Sequence, residues 1–150
     1  MFLRGPVLCL SLALTASADA AGPAPNRYNR VEIAPTKTSV YVGTVAMTMP
    51  PFVRRGESYE STYTAKVFPF FFLGEQGRLA VTIPDAALDQ LVRGEPLDFD
   101  GRATSESGDD RRLTGHAVPT DASSGKLTVR VFVSKRIQLI FHTTYRFSVR

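Results

Sequence analysis

The sequence predicts an all-β fold, an antiparallel meander barrel or sandwich of about eight strands with one short helix. Three observations carry this. Apolar residues recur at period two over most of the chain. Short breaks rich in Gly, Asp and Ser separate those stretches, and gaps of that length join antiparallel neighbours. A single segment, beginning near Asp85, spaces its apolar residues as a helix does.

The chain has 150 residues, 43% hydrophobic and 21% charged, which suits one folded domain. Its first 20 residues read as a secretory signal peptide. Arg4 supplies the positive start, Val7 to Leu14 the apolar stretch, and Ala18 and Ala20 the small residues of an exit site. Cleavage is expected between Ala20 and Ala21, with a cut after Ala18 as the alternative. The lone cysteine, Cys9, lies within the apolar stretch and would leave with it, so no disulfide framework is expected. Residues 21–27 (AGPAPNR) form a small, proline-rich lead-in, and 28–150 a single β domain. About 130 residues suffice to bury a core without disulfides.

Within the domain, Tyr28 to Ala34 and Ser39 to Thr48 are weak strand candidates. Ser58 to Val67 is a strong one, with Tyr59, Ser61, Tyr63, Ala65 and Val67 on one face. Glu75-Gln76-Gly77 reads as a turn before Arg78 to Ile83, where Leu79, Val81 and Ile83 share a face. Asp85 to Arg93 follows as about two helical turns, with Asp85 as N-cap, Leu88 and Leu91 in the apolar stripe and Gly94 at the C-terminal stop. Such a helix covers an open end or edge of the sheet. Four further strands complete the chain: Leu97 to Thr104, Arg111 to Val118, Lys126 to Val133 and Ile137 to Val149. The breaks at Ser107 to Asp110, Asp121 to Gly125 and Ser134 to Arg136 join them as a meander. Phe99-Asp-Gly-Arg-Ala103 and Leu113-Thr-Gly-His-Ala117 echo one another, which we read as glycines where consecutive strands bend.

The oddest feature is Val67-Phe68-Pro69-Phe70-Phe71-Phe72-Leu73. Structurally it reads as a core strand covered on its second face by the helix. Functionally it reads as an aromatic ligand-cavity wall or a partner patch. His116 and His142, the two histidines, fall on the wetter face of their strands. Nothing in their spacing, or in that of Asp109 and Asp110, resembles a metal site, so no metal or other cofactor is expected. No serine sits in a nucleophile elbow. Asp98 and Asp100 share a face, but Arg102 on that face neutralises them. No enzyme activity is therefore expected.

The formal charge is +4, and 14 of the 18 basic residues are arginine. They are scattered and lack interleaved stacking motifs, so nucleic acid is not the expected partner. A weak contact with an anionic polymer or lipid headgroup remains. Ile137 to Phe147 is long enough for a strand of a membrane-spanning barrel and ends in aromatics, but most of the other strands are too short. The expected protein is exported, periplasmic or extracellular, and either a monomer or a homodimer. It is expected to bind a small apolar or amphipathic ligand by burial. The alternative is surface recognition of a partner protein or anionic polymer in the cell envelope. Strand order decides which face points inward, so the sequence assigns no ligand-contact residue. Phe70, Phe72, Tyr59 and Tyr63 illustrate the kind of wall expected.

Overall fold

Period-two strands joined by short turns close here into a barrel. A computed structural model describes residues 28–41 and 43–148. The expected signal peptide, its Ala20–Ala21 cleavage site and the lead-in lie outside those residues, as does Val149. The strands are β1 (Arg30–Ile33), β2 (Thr36–Val40), β3 (Gly43–Thr48), β4 (Phe52–Arg55), β5 (Ser58–Phe68), β6 (Glu75–Thr82), β7 (Leu97–Ser105), β8 (Asp110–Pro119), β9 (Ser124–Phe132) and β10 (Gln138–Ser148). One helix, α1 (Asp85–Val92), joins β6 to β7.

Strands β5 to β10 run as a continuous antiparallel meander. β10 then pairs with β1, β1 with β4, and β4 with the start of β5, which closes a ring of eight. A sandwich would leave β5 and β6 in separate sheets. They pair instead from Ser58↔Thr82 to Ala65↔Glu75. The β2–β3 hairpin stands outside this ring and extends its wall. β3 pairs with the second half of β5 from Thr48↔Thr64 to Thr44↔Phe68. β2 is tied to β10 through Thr36 Oγ1, which donates to the His142 carbonyl at 3.0 Å.

The expected alternation is met on every long strand, with apolar residues inward. On β5, Tyr59 and Tyr63 are buried while Glu60, Thr62 and Lys66 face solvent. On β10, Phe141, Tyr145 and Phe147 are buried and His142, Thr144 and Arg146 are exposed. This is the reverse of a membrane-spanning barrel, whose apolar residues face outward.

The helix falls where the sequence places it, but its N-terminus is built differently. Pro84 is the N-cap residue and makes no side-chain cap. Asp85 sits in the first turn and pairs with Arg54 of β4 at 2.8 Å. Proline at the boundary removes the choice of an extended N-cap with a side-chain acceptor, so the aspartate serves a tertiary contact instead. An eight-residue helix is not stable alone. Leu88 and Leu91, both buried, anchor it across the barrel end. Each such burial contributes ~1.5–3 kcal/mol. Gly94, at φ +82°, ends the helix as expected.

Three expectations are corrected. Ser39 to Thr48 is not one strand but the arms of a hairpin, because the chain turns at Tyr41 and enters β3 through Gly43. Glu75-Gln76-Gly77 is not a turn: it opens β6, and the turn lies one step earlier. The phenylalanine run is not a core strand. β5 ends at Phe68, the Phe68–Pro69 peptide is cis, and Phe71–Leu73 form one exposed 3-10 turn. Helix α1 lies at the opposite end of the barrel and cannot cover it.

The echoed glycine motifs also resolve differently. Phe99 lies opposite Gly115, and Gly101 opposite Leu113, across the β7–β8 pair. A Cβ on Gly115 would stand 2.0 Å from Phe99 Cζ, and one on Gly101 2.7 Å from Leu113 Cδ1. Each glycine makes room for the large side chain of the other strand. The repeat is a reciprocal packing device, with both glycines outside the left-handed region.

Candidate functional site

The barrel interior is not filled. It encloses a cavity of about 830 Å³, within the range of small-molecule sites. An eight-stranded barrel is wide enough for one such ligand.

The two ends differ. At the end where β1, β5, β7 and β9 begin, α1 lies against β7 and β8, and its Leu88 and Leu91 are buried in one core with a cluster of aromatic rings. Phe147 packs on Tyr28 and Tyr145 with ring centroids 5.1 and 5.6 Å apart, both edge to face. The Tyr59 hydroxyl donates to the Tyr28 carbonyl. Burial pushes the Tyr59 phenol up to about 12, against a smaller opposing pull from Arg54. That end is closed.

The other end is open. Its rim comprises the β2–β3 turn with Tyr41, the β5–β6 connection with Phe68 to Leu73, the β7–β8 turn, and the β9–β10 turn from Val133 to Ile137. Tyr41, Leu73, Val133 and Ile137 line the cavity while remaining exposed.

Inside, the wall is mainly carbon: Val45, Met47, Leu79, Leu113, Val131 and Phe141 are representative. One polar group interrupts it near the mouth. Arg111, its side chain 17% exposed, donates to Glu75 at 2.6 Å. The Tyr63 hydroxyl donates to the other Glu75 oxygen. Burial first, then this hydrogen bond to a carboxylate, holds the Tyr63 phenol well above its ordinary range. Arg136 and Gln138 complete the polar lining nearest the opening, with Thr36, Ser39 and Thr143 on the β2 and β10 sides.

Of the illustrative wall residues, Tyr59 and Tyr63 line the cavity. Phe70 and Phe72 do not: they stand at the rim, Phe72 81% exposed, their rings 5.9 Å apart. The expected neutralisation of Asp98 and Asp100 by Arg102 is replaced by cross-strand partners. Asp98 meets His116 Nδ1 at 2.6 Å, Asp100 meets Arg112 at 3.5 Å, and Arg102 leans to Asp110 at 3.9 Å. Asp98 and His116 are directly opposite across the β7–β8 pair, whereas the Asp100–Arg112 and Arg102–Asp110 contacts are diagonal and need the reach of an arginine.

The histidines share an outer row but do not meet. His116 is opposite Thr128, and Thr128 is opposite His142. Two strand spacings of ~4.8 Å separate them. Among the described residues, no group of three His, Cys, Asp or Glu is placed to hold a metal ion.

Glu75 and Arg111 escaped the sequence reading. The signal was present: each is a charged residue on the apolar parity of its strand, Glu75 with Leu79 and Val81, Arg111 with Leu113 and Ala117. Comparison with family models, curated proteins and solved structures yields no match to this chain.

Proposed function

We propose that the protein is a carrier that holds one elongated apolar or amphipathic molecule, tail toward the α1 end and polar end toward the mouth. The single observation that carries this reading is the carbon-lined cavity of about 830 Å³, closed at one end and open at the other. Burial supplies the affinity, at ~0.8 kcal/mol per methylene removed from water. The Tyr63–Glu75–Arg111 group supplies direction. Its carboxylate and guanidinium already neutralise each other, so it favours an uncharged polar end that can join the network. An anionic end would reach Arg136 nearer the opening.

Carriage rather than catalysis is supported by the lining itself. Tyr63, Glu75 and Arg111 in the wall are bound to one another, and both histidines lie on the outer surface. Surface recognition of an anionic polymer has less support. Arg54, Arg55, Arg93, Arg102, Arg111 and Arg112 each lie within ion-pair distance of an Asp or Glu. With the signal peptide expected at residues 1–20, the setting proposed is exported, periplasmic or extracellular.

Native mass spectrometry of the protein purified from cells expressing the full chain tests this. A co-purified small molecule lost on denaturation is the expected result. A fluorescent long-chain fatty acid then serves as probe. Ala65→Phe and Val129→Phe, which fill the cavity from opposite walls, should each weaken its binding at least tenfold. Binding that survives both substitutions, with fold intact, places the probe outside the barrel and overturns the reading.

A further inference from the structure

We infer that the mouth of the barrel docks onto an anionic phospholipid surface, so that the cavity opens directly against the bilayer. The inference rests on the cavity reading for what is exchanged there. The docking itself is carried by the rim.

Among the described residues, large apolar side chains are exposed mostly at one end of the molecule. Tyr41, Phe68, Phe70, Phe71, Phe72, Leu73, Val133 and Ile137 all belong to three mouth connections and stand in solvent. Elsewhere the exposed large apolar residues are single, such as Val53 and Val118, and scattered residues of that kind are ordinary on a soluble protein. The three connections are neighbours around the ring. β3 pairs with β5, and β2 lies against β10. Phe68 packs edge to face on Phe71, and Phe70 on Phe72, so the β5–β6 connection presents a clustered aromatic surface.

Charge selects the partner. Lys135 and Arg136 sit in the β9–β10 turn between the exposed Val133 and Ile137. Lys37 of β2 and Lys66 of β5 are exposed on the adjoining outer wall. The fourth connection is different. The β7–β8 turn carries Glu106 and Asp109, with Asp110 opening β8, and no exposed large apolar residue; Asp109 and Asp110 lie within ion-pair distance of Arg111 and Arg102. An anionic surface attracts the β9–β10 turn, the two apolar connections beside it enter the boundary, and the fourth offers neither ring nor free cation. The barrel therefore docks tilted, with the β7–β8 turn raised from the bilayer. Aromatic tips flanked by cations suit a headgroup boundary, where rings enter and cations stay at the phosphates.

Continuity with the cavity favours a bilayer over a second protein. Tyr41, Leu73, Val133, Arg136 and Ile137 belong both to the rim and to the cavity lining. A protein seated there would cork the opening, whereas a bilayer is a source of molecules with the apolar character of the interior.

The test compares the protein with the triple variant Phe70→Ser, Phe71→Ser, Phe72→Ser, and separately with Lys135→Gln, Arg136→Gln. All are expressed from the full-length chain, so any N-terminal processing is common to them. Binding is measured by co-sedimentation with vesicles of equal parts phosphatidylglycerol and phosphatidylcholine, and with phosphatidylcholine alone. The expected result is binding to the anionic vesicles, weakened at least tenfold by the serine triple variant. Each cation removed should weaken it about fivefold. Phe72→Ser alone, at the most exposed of the three positions, repeats the test if the triple variant unfolds. Anionic-vesicle binding unchanged by these substitutions overturns the inference, as does equal binding to both vesicle types. A dimer that the serine variant dissociates, with no vesicle binding by the parent protein, assigns the rim to a second copy and also overturns it. Fatty-acid probe binding separates the two readings, because Phe72 is not part of the cavity wall. Lost vesicle binding with probe binding retained bears on docking alone.

Discussion

Gly115→Ala adds one methyl group and should destabilise the barrel through a single contact. The new Cβ would stand 2.0, 2.3 and 2.6 Å from Cζ, Cε2 and Cε1 of Phe99. Carbon atoms settle at ~3.5 Å or more, so the ring must retreat by about 1.5 Å. Overpacking of this kind costs ~1–3 kcal/mol. Phe99 is half-buried and faces the cavity, which gives the ring somewhere to go. The lower part of that range therefore applies, about 1–2 kcal/mol. For a barrel of this size the loss lowers Tm by roughly 3–10 °C. The displaced ring also enters ligand space, so fatty-acid probe binding should weaken in parallel.

The sharper expectation concerns sign. With Phe99→Ala in place the obstacle is gone. Gly115→Ala then only restricts the unfolded chain, which stabilises by ~0.4–1 kcal/mol where the backbone tolerates a side chain. Gly115 is outside the left-handed region, so it does. Scanning calorimetry of the four proteins in this cycle should show Tm falling with Gly115→Ala in the parent and rising in the Phe99→Ala background. The coupling should be at least ~1 kcal/mol. An equal drop in both backgrounds would refute the reciprocal packing of β7 on β8 and return the glycines to a role in strand bending.

Two further outcomes follow from the tyrosines and the polar group in the wall. Tyr59 has its phenol raised from 10.0 to about 12 by burial, and Tyr145 is raised for the same main reason. The folded state therefore holds these protons more tightly than the unfolded chain. The Tyr59 contribution is complete below pH 10 and drains as pH climbs from 10 toward about 12, and that of Tyr145 is likewise lost on the alkaline side. Urea unfolding across that window should show stability falling, with a shallower fall in Tyr59→Phe. That variant should also lose ~1–3 kcal/mol at neutral pH, because the Tyr28 carbonyl loses its donor. An unchanged alkaline slope in Tyr59→Phe would count against it. Glu75→Gln removes the carboxylate between Tyr63 and Arg111, whose side chain is only 17% exposed. A fully buried broken pair costs ~3–5 kcal/mol. Partial exposure here reduces that to about 1–3 kcal/mol, and Arg111→Met in the same chain should recover much of it. A urea midpoint for Glu75→Gln equal to the parent's would show that the group is not coupled.

Local chemistry made much of the barrel legible. Alternation on β5 and β10 identified Tyr59, Tyr63, Phe141, Tyr145 and Phe147 as one face, and they are the buried face. The turns at Ser107 to Asp110 and Ser134 to Arg136 carry their own signals, and Gly94 ends the helix by its positive φ. Failures cluster where a residue's partner is remote in sequence. Glu75 looked like a turn residue because its reason for being in a strand, Arg111, lies 36 residues away. The Asp85 contact with Arg54 is likewise invisible until β4 and α1 meet.

The phenylalanine run shows the division most clearly. By itself the sequence determined that four phenylalanines within five residues are exceptional, and that Pro69 cannot donate to a strand ladder. It could not determine whether those rings are core, wall or surface, because each of those outcomes is apolar and locally identical. Pairing of β5 with β6 along its length, and of β10 with β1, closed the ring and decided which parity faces inward. Closure also decided that the run falls at the mouth, opposite the end that α1 covers. Period and turn chemistry are properties of a few consecutive residues. A cavity and its rim are properties of eight strands at once, set by register between segments that share no local signal.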